Sequence, residues 1–420
     1  MTADSSLHRF VLIAAIGGCL LRLAFGLGYW TDKPLTRDEL EYLSLARSLA
    51  AGDGFVYDEV LRTGSFVPFG RAPGYPSFLA LVGGGRGVTS SVPDGVQIAQ
   101  AAAGAIGVVL LGLIAGRLAG PVAARTAAVL AAIYPPLVWI SGYALSEALF
   151  WPMGLAVALA FDRAMSTPAG SPARRSLAAA FGCGVLTGAG ILVRPALLLF
   201  LPFAGLALVV RRQWTAAALL AAGTLVVVGP WTVRNYAVHE RLMIVASDGG
   251  VTFWTGNHPL ARGEGDMAAN PALKLDNQRL RAEHPGLSEE DMEPIYYREA
   301  LAWIAEHPGD WLRLEVRKLF YLIVPVGPSY TLHSRLYLAA TLLSYVPLLL
   351  CAAAGAAALG GQLRRTPGMW LIAGSAVATA LVFFPQERFR IPIIDPALIL
   401  LASGALARWW PFGRTAHVPA

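Results

Sequence analysis

Three carboxylates fall within four residues in the run Thr36-Arg37-Asp38-Glu39-Leu40-Glu41-Tyr42. Such a cluster can accept protons, or it can simply suit the start of a helix. Thr36 followed three residues later by Glu39 fits the reciprocal cap of a helix N-terminus. Acids in a first turn also meet the favourable end of the helix dipole. Capping accounts for Glu39 better than for Asp38, which the cap does not need. An acid held at a membrane surface beside a cavity is well placed as a general base. Asp38 is therefore the first catalytic candidate.

Other charged residues stand near the ends of apolar runs. Gly70-Arg71-Ala72-Pro73-Gly74-Tyr75-Pro76 reads as a fixed turn. Arg71 there serves either to bind phosphate or to anchor the loop by a salt bridge. Glu147 follows Leu145-Ser146, and Arg194 sits between Val193 and Pro195. Arg234 and Asn235 close the segment Gly229-Pro230-Trp231-Thr232-Val233, and Gln386-Glu387-Arg388-Phe389-Arg390 joins two apolar runs. One arginine at such a place would simply reach the interface. Several arginines and acids on one side of a membrane point instead to a site for an anionic lipid head group. The segment from Ser247 to Pro259 holds paired glycines, aromatics, Asn257 and His258. It reads equally as a sugar-binding turn and as an ordinary loop.

Other chemistries lack a signature. The seven histidines show no metal-ligand spacing. There is no phosphate-binding loop and no dinucleotide fingerprint. Cys19, Cys183 and Cys351 each lie in an apolar run and read as small buried hydrophobes. No basic stripe with interleaved aromatics speaks for nucleic acid.

These residues must be positioned by apolar helices. Of the 420 residues 55% are hydrophobic and 14% charged, against roughly 25% charged in an ordinary soluble domain. Runs near 9–30, 94–118, 121–140, 143–161, 176–193, 195–210, 214–233, 333–360, 367–384 and 391–408 are apolar enough to cross a bilayer. The first, which carries Arg22, reads as a retained span and not a cleaved signal. With the N-terminus inside, Arg117, Arg125, Arg163, Arg174, Arg175, Arg211, Arg212, Arg364, Arg365, Arg408 and Arg414 all face the cytoplasm, as the positive-inside rule requires. Both termini are then cytoplasmic. Residues 310–326 place Leu312, Val316, Leu319, Phe320 and Ile323 on one helical side and Arg313 and Arg317 on the other, which predicts a helix in the outer interface. Gly112, Gly116 and Gly120, and likewise Gly184 and Gly188, recur at a spacing of four and predict close helix packing.

Taken in order, these motifs resemble bacterial members of glycosyltransferase family 39 and its relatives in the GT-C superfamily, a group that includes protein O-mannosyltransferases and the lipid A aminoarabinose transferase. The resemblance rests on Arg37-Asp38-Glu39 with Tyr42, Arg71 to Pro76, Leu145-Ser146-Glu147, Arg194-Pro195, Pro230 to Tyr236, Gly249-Gly250 through Pro259, and Arg388 to Pro392. Leu40-Glu41 departs from the family, where a tyrosine often follows the acidic pair.

The resemblance implies an all-α polytopic membrane protein with about ten transmembrane helices. It would be GT-C-like, with two long extracytoplasmic loops containing interfacial helices. An N-terminal module (1–236) would carry the first catalytic loop (31–93), followed by a second loop (237–332) and C-terminal helices (333–420). The implied activity is transfer of a monosaccharide from a polyprenyl-phosphate carrier to an acceptor hydroxyl or phosphate, with inversion, on the outer side of the plasma membrane. Asp38 and Glu39 match the catalytic acids. Arg234, Arg388 and Arg390 match basic positions near the lipid phosphate, with Arg71 and Arg194 joining them. Tyr42, Glu147, Asn235, Asn257 and His258 are the expected substrate contacts. Expected partners are the lipid-linked sugar, membrane lipid and a glycolipid, protein or polysaccharide acceptor. No metal ligand is assigned, and a divalent metal is left open. The alternatives are a lipid-linked sugar transporter and a non-catalytic subunit of the same fold.

Overall fold

The computed structural model describes residues 2–58, 61, 70–87, 90–165, 173–265, 267–329 and 334–409. Arg414 and the side chains of Arg174 and Arg175 lie outside the described residues. Helices dominate, and there is no strand among the described residues. In chain order they are α1 (Thr2–Tyr29), α2 (Arg37–Ala51), α3 (Gly74–Leu81), α4 (Asp94–Ile133), α5 (Glu147–Met165), α6 (Ala173–Val193), α7 (Phe200–Val210) and α8 (Trp214–His239). There follow α9 (Gly249–Gly256), α10 (Pro271–Ala282), α11 (Glu289–Glu306), α12 (Pro308–Ile323), α13 (Arg335–Leu359), α14 (Pro367–Val382), α15 (Glu387–Arg390) and α16 (Ile394–Trp409).

Among the described residues, five helical segments are long and apolar enough to cross a membrane: Ser5–Tyr29, Asp94–Ile133, Glu147–Met165, Trp214–His239 and Arg335–Arg365. Leu177–Val193, Pro195–Val210 and Pro367–Val382 are shorter apolar helices. Large apolar side chains stand exposed along them, among them Ile13 and Leu20 of α1, Leu225 and Val233 of α8, and Leu343 and Leu350 of α13. In water that surface would be unfavourable; against lipid tails it is the expected exterior. The chain is membrane-embedded.

α4 is a hairpin of two legs. A Cβ on Gly112 would lie 3.5 Å from the Ala124 carbonyl oxygen, and one on Gly116 would lie 3.4 Å from the Ala124 Cβ. In a straight helix residues 112 and 124 would be about 18 Å apart along the axis. The reversal falls at Ala119 and Gly120, where Gly120 takes φ 86°, a left-handed value that glycine adopts without strain. Gly120 is thus a turn residue and not the packing residue its spacing predicted. Gly184 does serve close packing, because a Cβ there would sit 2.2 Å from the Leu220 carbonyl oxygen of α8. Thr224 of α8 donates to the Gly184 carbonyl oxygen at 3.1 Å across the same contact.

Arg22 is buried inside the bundle. It donates to the carbonyl oxygens of Gly18, Ala131, Ala132 and Leu137 at 2.9 to 3.3 Å. These bonds satisfy a charge that would otherwise be costly to bury, and they tie α1 to the end of α4. At the bundle's other end the basic loops gather. Arg125 donates to Ser6 at 3.4 Å, Arg365 to the Leu118 carbonyl oxygen at 3.4 Å, and Arg408 to the Ala358 carbonyl oxygen at 2.6 Å.

The stretch after α8 carries a small core of its own, built from Val251, Trp254, Leu273, Met292, Tyr296 and Ala300. α12 buries Leu314, Lys318 and Leu322 and exposes Leu312, Val316, Leu319, Phe320 and Ile323. The Lys318 ammonium reaches the Leu381 carbonyl oxygen at 2.6 Å, so α12 lies against the C-terminal end of α14. That side of α12 with Lys318 is the docked one; the apolar stripe faces outward.

Candidate active site

The polar residues converge at the end of the bundle opposite the basic loops, and the capping of α2 places the first of them. Glu39 accepts from the Thr36 backbone N–H at 2.7 Å and from its hydroxyl at 2.8 Å. Its other oxygen accepts from the Ala144 N–H at 2.9 Å. Both carboxylate oxygens therefore hold backbone, and α2 is pinned to the segment that leads into α5. Burial pushes the Glu39 carboxyl up, with those hydrogen bonds opposing it.

Asp38, one residue earlier, points into the cluster. Its Oδ1 accepts from Arg71 Nη2 at 2.7 Å, and its Oδ2 accepts from Arg388 Nη1 at 2.5 Å. Burial alone would push this carboxyl up, yet the two guanidiniums hold it well below the usual carboxylate range. Arg71 also donates from Nε to Glu41 Oε2 at 2.7 Å. It stands 3.6 Å from Asp248 and lies over the Tyr42 ring at 5.2 Å. Arg71 is thus both an anchor of its loop and a partner of Asp38.

Close backbone approaches bring these loops together. A Cβ on Gly74 would lie 2.7 Å from the Leu192 carbonyl oxygen, so the turn carrying Arg71 sits directly on the end of α6, next to Arg194. A Cβ on Gly70 would lie 2.3 Å from Ser247 Oγ. Gly70 and Ser247 also exchange two hydrogen bonds, at 2.9 and 3.0 Å. The segments around Gly70 and Ser247 are clasped there, and Asp248 is carried to Arg71. Burial raises the Asp248 carboxyl.

Arg194 forms the far side. Its Nη1 bonds Ser146 Oγ at 2.9 Å and Glu147 Oε1 at 3.0 Å. Tyr42 reaches the same Ser146 hydroxyl at 3.5 Å. The Arg194 and Arg388 guanidiniums both lie over the Phe389 ring, 4.9 and 5.0 Å from its centroid. One aromatic platform therefore carries two guanidiniums.

The structure brings together Asp38, Tyr42, Arg71, Glu147, Arg194 and Arg388, with Glu39 holding the frame. It sets the remaining candidates apart. Arg390 is buried, bonded to Asp395 at 2.7 Å and packed 3.6 Å over Tyr345. Arg234 lies over Trp231 at 4.9 Å and bonds its neighbour Asn235 at 3.2 Å. Asn235 is buried and donates to the Met243 and Val245 carbonyl oxygens. Asn257 accepts from Trp311 and from Lys318, each at 3.1 Å, and so fixes α12. His258 accepts from the Leu260 N–H at Nδ1 and therefore donates from Nε2 to Asp276 at 3.0 Å; burial lowers its pKa. These contacts position loop and helix, and none reaches Asp38.

Sequence reasoning did not assign Glu41, Ser146, Asp248 or Phe389. Glu41 carries a local signal, since Arg37 stands four residues before it and the pair forms at 3.2 Å. Asp248 and Phe389 have no such signal, because their partners are distant in the chain. Among the described residues no three His, Cys, Asp or Glu side chains gather to hold a metal.

No protein-family model matches this chain, and no curated protein sequence matches it. Solved structures do. The archaeal oligosaccharyltransferase AglB from Archaeoglobus fulgidus, in complex with an inhibitory peptide and a dolichol-phosphate, superposes with a TM-score of 0.57 at 18% identity. The overlap covers 97% of this chain and 51% of that one. The same enzyme tethered to an acceptor peptide with the NVT sequon gives a TM-score of 0.57 at 17% identity, over 96% and 49% of the two chains. The fold is shared with an oligosaccharyltransferase. The chain spans about half the length of that relative.

Proposed function

We propose that the protein is a membrane glycosyltransferase that moves a monosaccharide from a polyprenyl-phosphate carrier to an acceptor hydroxyl, with inversion, on the extracytoplasmic side. By its motifs the chain resembles glycosyltransferase family 39 and its relatives in the GT-C superfamily. The observation that carries the reading is the Asp38 carboxylate set between Arg71 and Arg388, beside an aromatic platform shared with Arg194. The shared fold supports it, since the oligosaccharyltransferase structure contains dolichol-phosphate.

The chemistry is a single displacement. The acceptor oxygen attacks C1 of the sugar while its proton passes to Asp38. The C1–O bond breaks, and its electron pair leaves with the polyprenyl phosphate. Guanidiniums suit this leaving group because their planar fork pairs phosphate oxygens. Holding charge as it develops lowers the barrier most where water is excluded. The phosphate departs ionised, so no acid is required. The apolar helices hold the carrier tail, and the outer segments cover the reacting end.

The test is sugar transfer from radiolabelled polyprenyl-phosphate sugars by purified protein in detergent, comparing wild type with Asp38→Ala. Transfer that depends on Asp38 supports the reading. Binding of the lipid with no transfer or release from any donor, or movement of intact lipid across vesicles, would replace it with the non-catalytic subunit or the transporter.

A further inference from the structure

We propose that Arg388 is a latch on Asp38 that the donor's phosphate opens, so that Asp38 becomes a working base only after the donor is bound. This deepens the glycosyltransferase reading and rests on it.

The two guanidiniums on Asp38 are held differently. Arg71 is gripped by Glu41 at 2.5 and 2.7 Å, faces Asp248 and lies over Tyr42, with 12% of its side chain exposed. Those carboxylates belong to the frame. Arg388 sits on the single turn of α15, bonds the Gln386 side chain at 2.9 Å and is 29% exposed. An anion approaching from the polar end therefore meets Arg388 as the movable partner.

In the closed arrangement Asp38 cannot take a proton efficiently. Each of its oxygens accepts a charge-assisted bond, and such bonds favour the ionised form. The phosphate of the donor offers Arg388 a competing anion with more acceptor oxygens. The Phe389 ring lies under both Arg388 and Arg194. A phosphate arriving over that ring can be taken by Arg388 without moving Arg388 off its platform, while Arg194 on the same ring stays bonded to Ser146 and Glu147. Asp38 then keeps Arg71 on Oδ1, and Oδ2 becomes available to the acceptor hydroxyl. When the C1–O bond breaks, the electron pair goes to the phosphate already paired with Arg388, and the proton goes to Asp38 Oδ2. The order is enforced: donor first, base second.

The latch makes a prediction that a base role alone does not. If Asp38 and the phosphate compete for Arg388, removing the Asp38 charge strengthens phosphate binding. The experiment measures equilibrium binding of a sugar-free polyprenyl phosphate to the full chain in detergent, for wild type, Asp38→Asn, Arg388→Gln and the double variant. The expected result is roughly tenfold tighter binding for Asp38→Asn, the scale of one charge-assisted bond. In the Arg388→Gln background Asp38→Asn gives no tightening. Equal tightening in both backgrounds means simple relief of like charge and overturns the latch, as does no tightening at all. If wild type binds no polyprenyl phosphate, the donor reading falls with it; if it binds without coupling between the two positions, only the latch falls. A second readout uses wild type alone, by carbodiimide modification of Asp38 mapped by mass spectrometry. The latch requires polyprenyl phosphate to accelerate modification several-fold, and unchanged or slower modification overturns it.

Discussion

Asp38 and Arg388 stand 350 residues apart in the chain, and a carboxylate oxygen of one lies 2.5 Å from a guanidinium nitrogen of the other. That pair joins the start of α2 to the turn between the last two apolar helices. It is the contact around which donor, acceptor and base are arranged in the proposed reaction.

Asp38→Asn is expected to lower sugar transfer by roughly 10²- to 10⁴-fold, the usual scale of a lost general base. Stability should change little, because Arg71 keeps its bonds to Glu41. Transfer assays with labelled donor, run beside thermal unfolding in detergent, separate the two effects. Wild-type turnover would remove Asp38 from the chemistry.

Glu39→Gln should behave quite differently. Glutamine can keep the reciprocal cap with its one amide oxygen and loses only the bond that the second carboxylate oxygen accepts from the Ala144 N–H; all these contacts are to backbone N–H groups and the Thr36 hydroxyl. Transfer should stay within several-fold of wild type, while Glu39→Ala should lose about 1 kcal/mol or more of stability through the cap. A collapse of kcat in Glu39→Gln with stability unchanged would give Glu39 a direct chemical role.

Removing Arg71 should destabilise the fold as well as the site. Arg71→Ala leaves the buried Glu41 without its main counter-charge, and breaking such a pair typically costs about 3–5 kcal/mol. Denaturant unfolding in mixed micelles would measure it. A loss within experimental error would show that the loop does not depend on this anchor.

Arg388 and Arg390 should separate under mutation. Arg388→Ala is expected to weaken polyprenyl-phosphate binding with little effect on unfolding. Arg390→Ala leaves the buried Asp395 uncompensated and should instead lower stability by several kcal/mol, on the order of a broken buried pair. Binding isotherms and melting curves on the two single variants decide it.

Glu293 predicts a pH dependence. Burial, helped by the charge of Asp248, pushes its carboxyl up to about 7 from an ordinary 4.5. A carboxyl raised in the folded state binds its proton more tightly there than in the unfolded chain. Its contribution to stability is therefore fully present below the ordinary value and is lost as pH rises to about 7. Glu293→Gln should remove that decline, worth on the order of 1 kcal/mol after solvent screening. The check is the denaturation midpoint of both proteins between pH 5 and pH 8; identical slopes would dismiss Glu293 as the source.

Much of this protein was legible in the chain without coordinates, and for physical reasons. Apolar runs long enough to cross a bilayer have few other homes. The Thr36–Glu39 cap is local, so its residues specify it wherever the helix lies. Glu41 and Arg37 are likewise readable because they are one helical turn apart. What the chain alone left undecided is which polar residue turns inward. Arg388 and Arg390 have the same type and are two residues apart in one helical turn, where they point about 200° from each other. One therefore reaches Asp38 and the other Asp395. Composition cannot make that choice, because it depends on how the turn is rotated against helices hundreds of residues away. The same holds for Asp38 and Glu39, neighbours that the helix sends to a guanidinium pair and to a backbone cap. The sequence determined the kinds of residue and the helices that carry them; packing alone decided which of those residues meet.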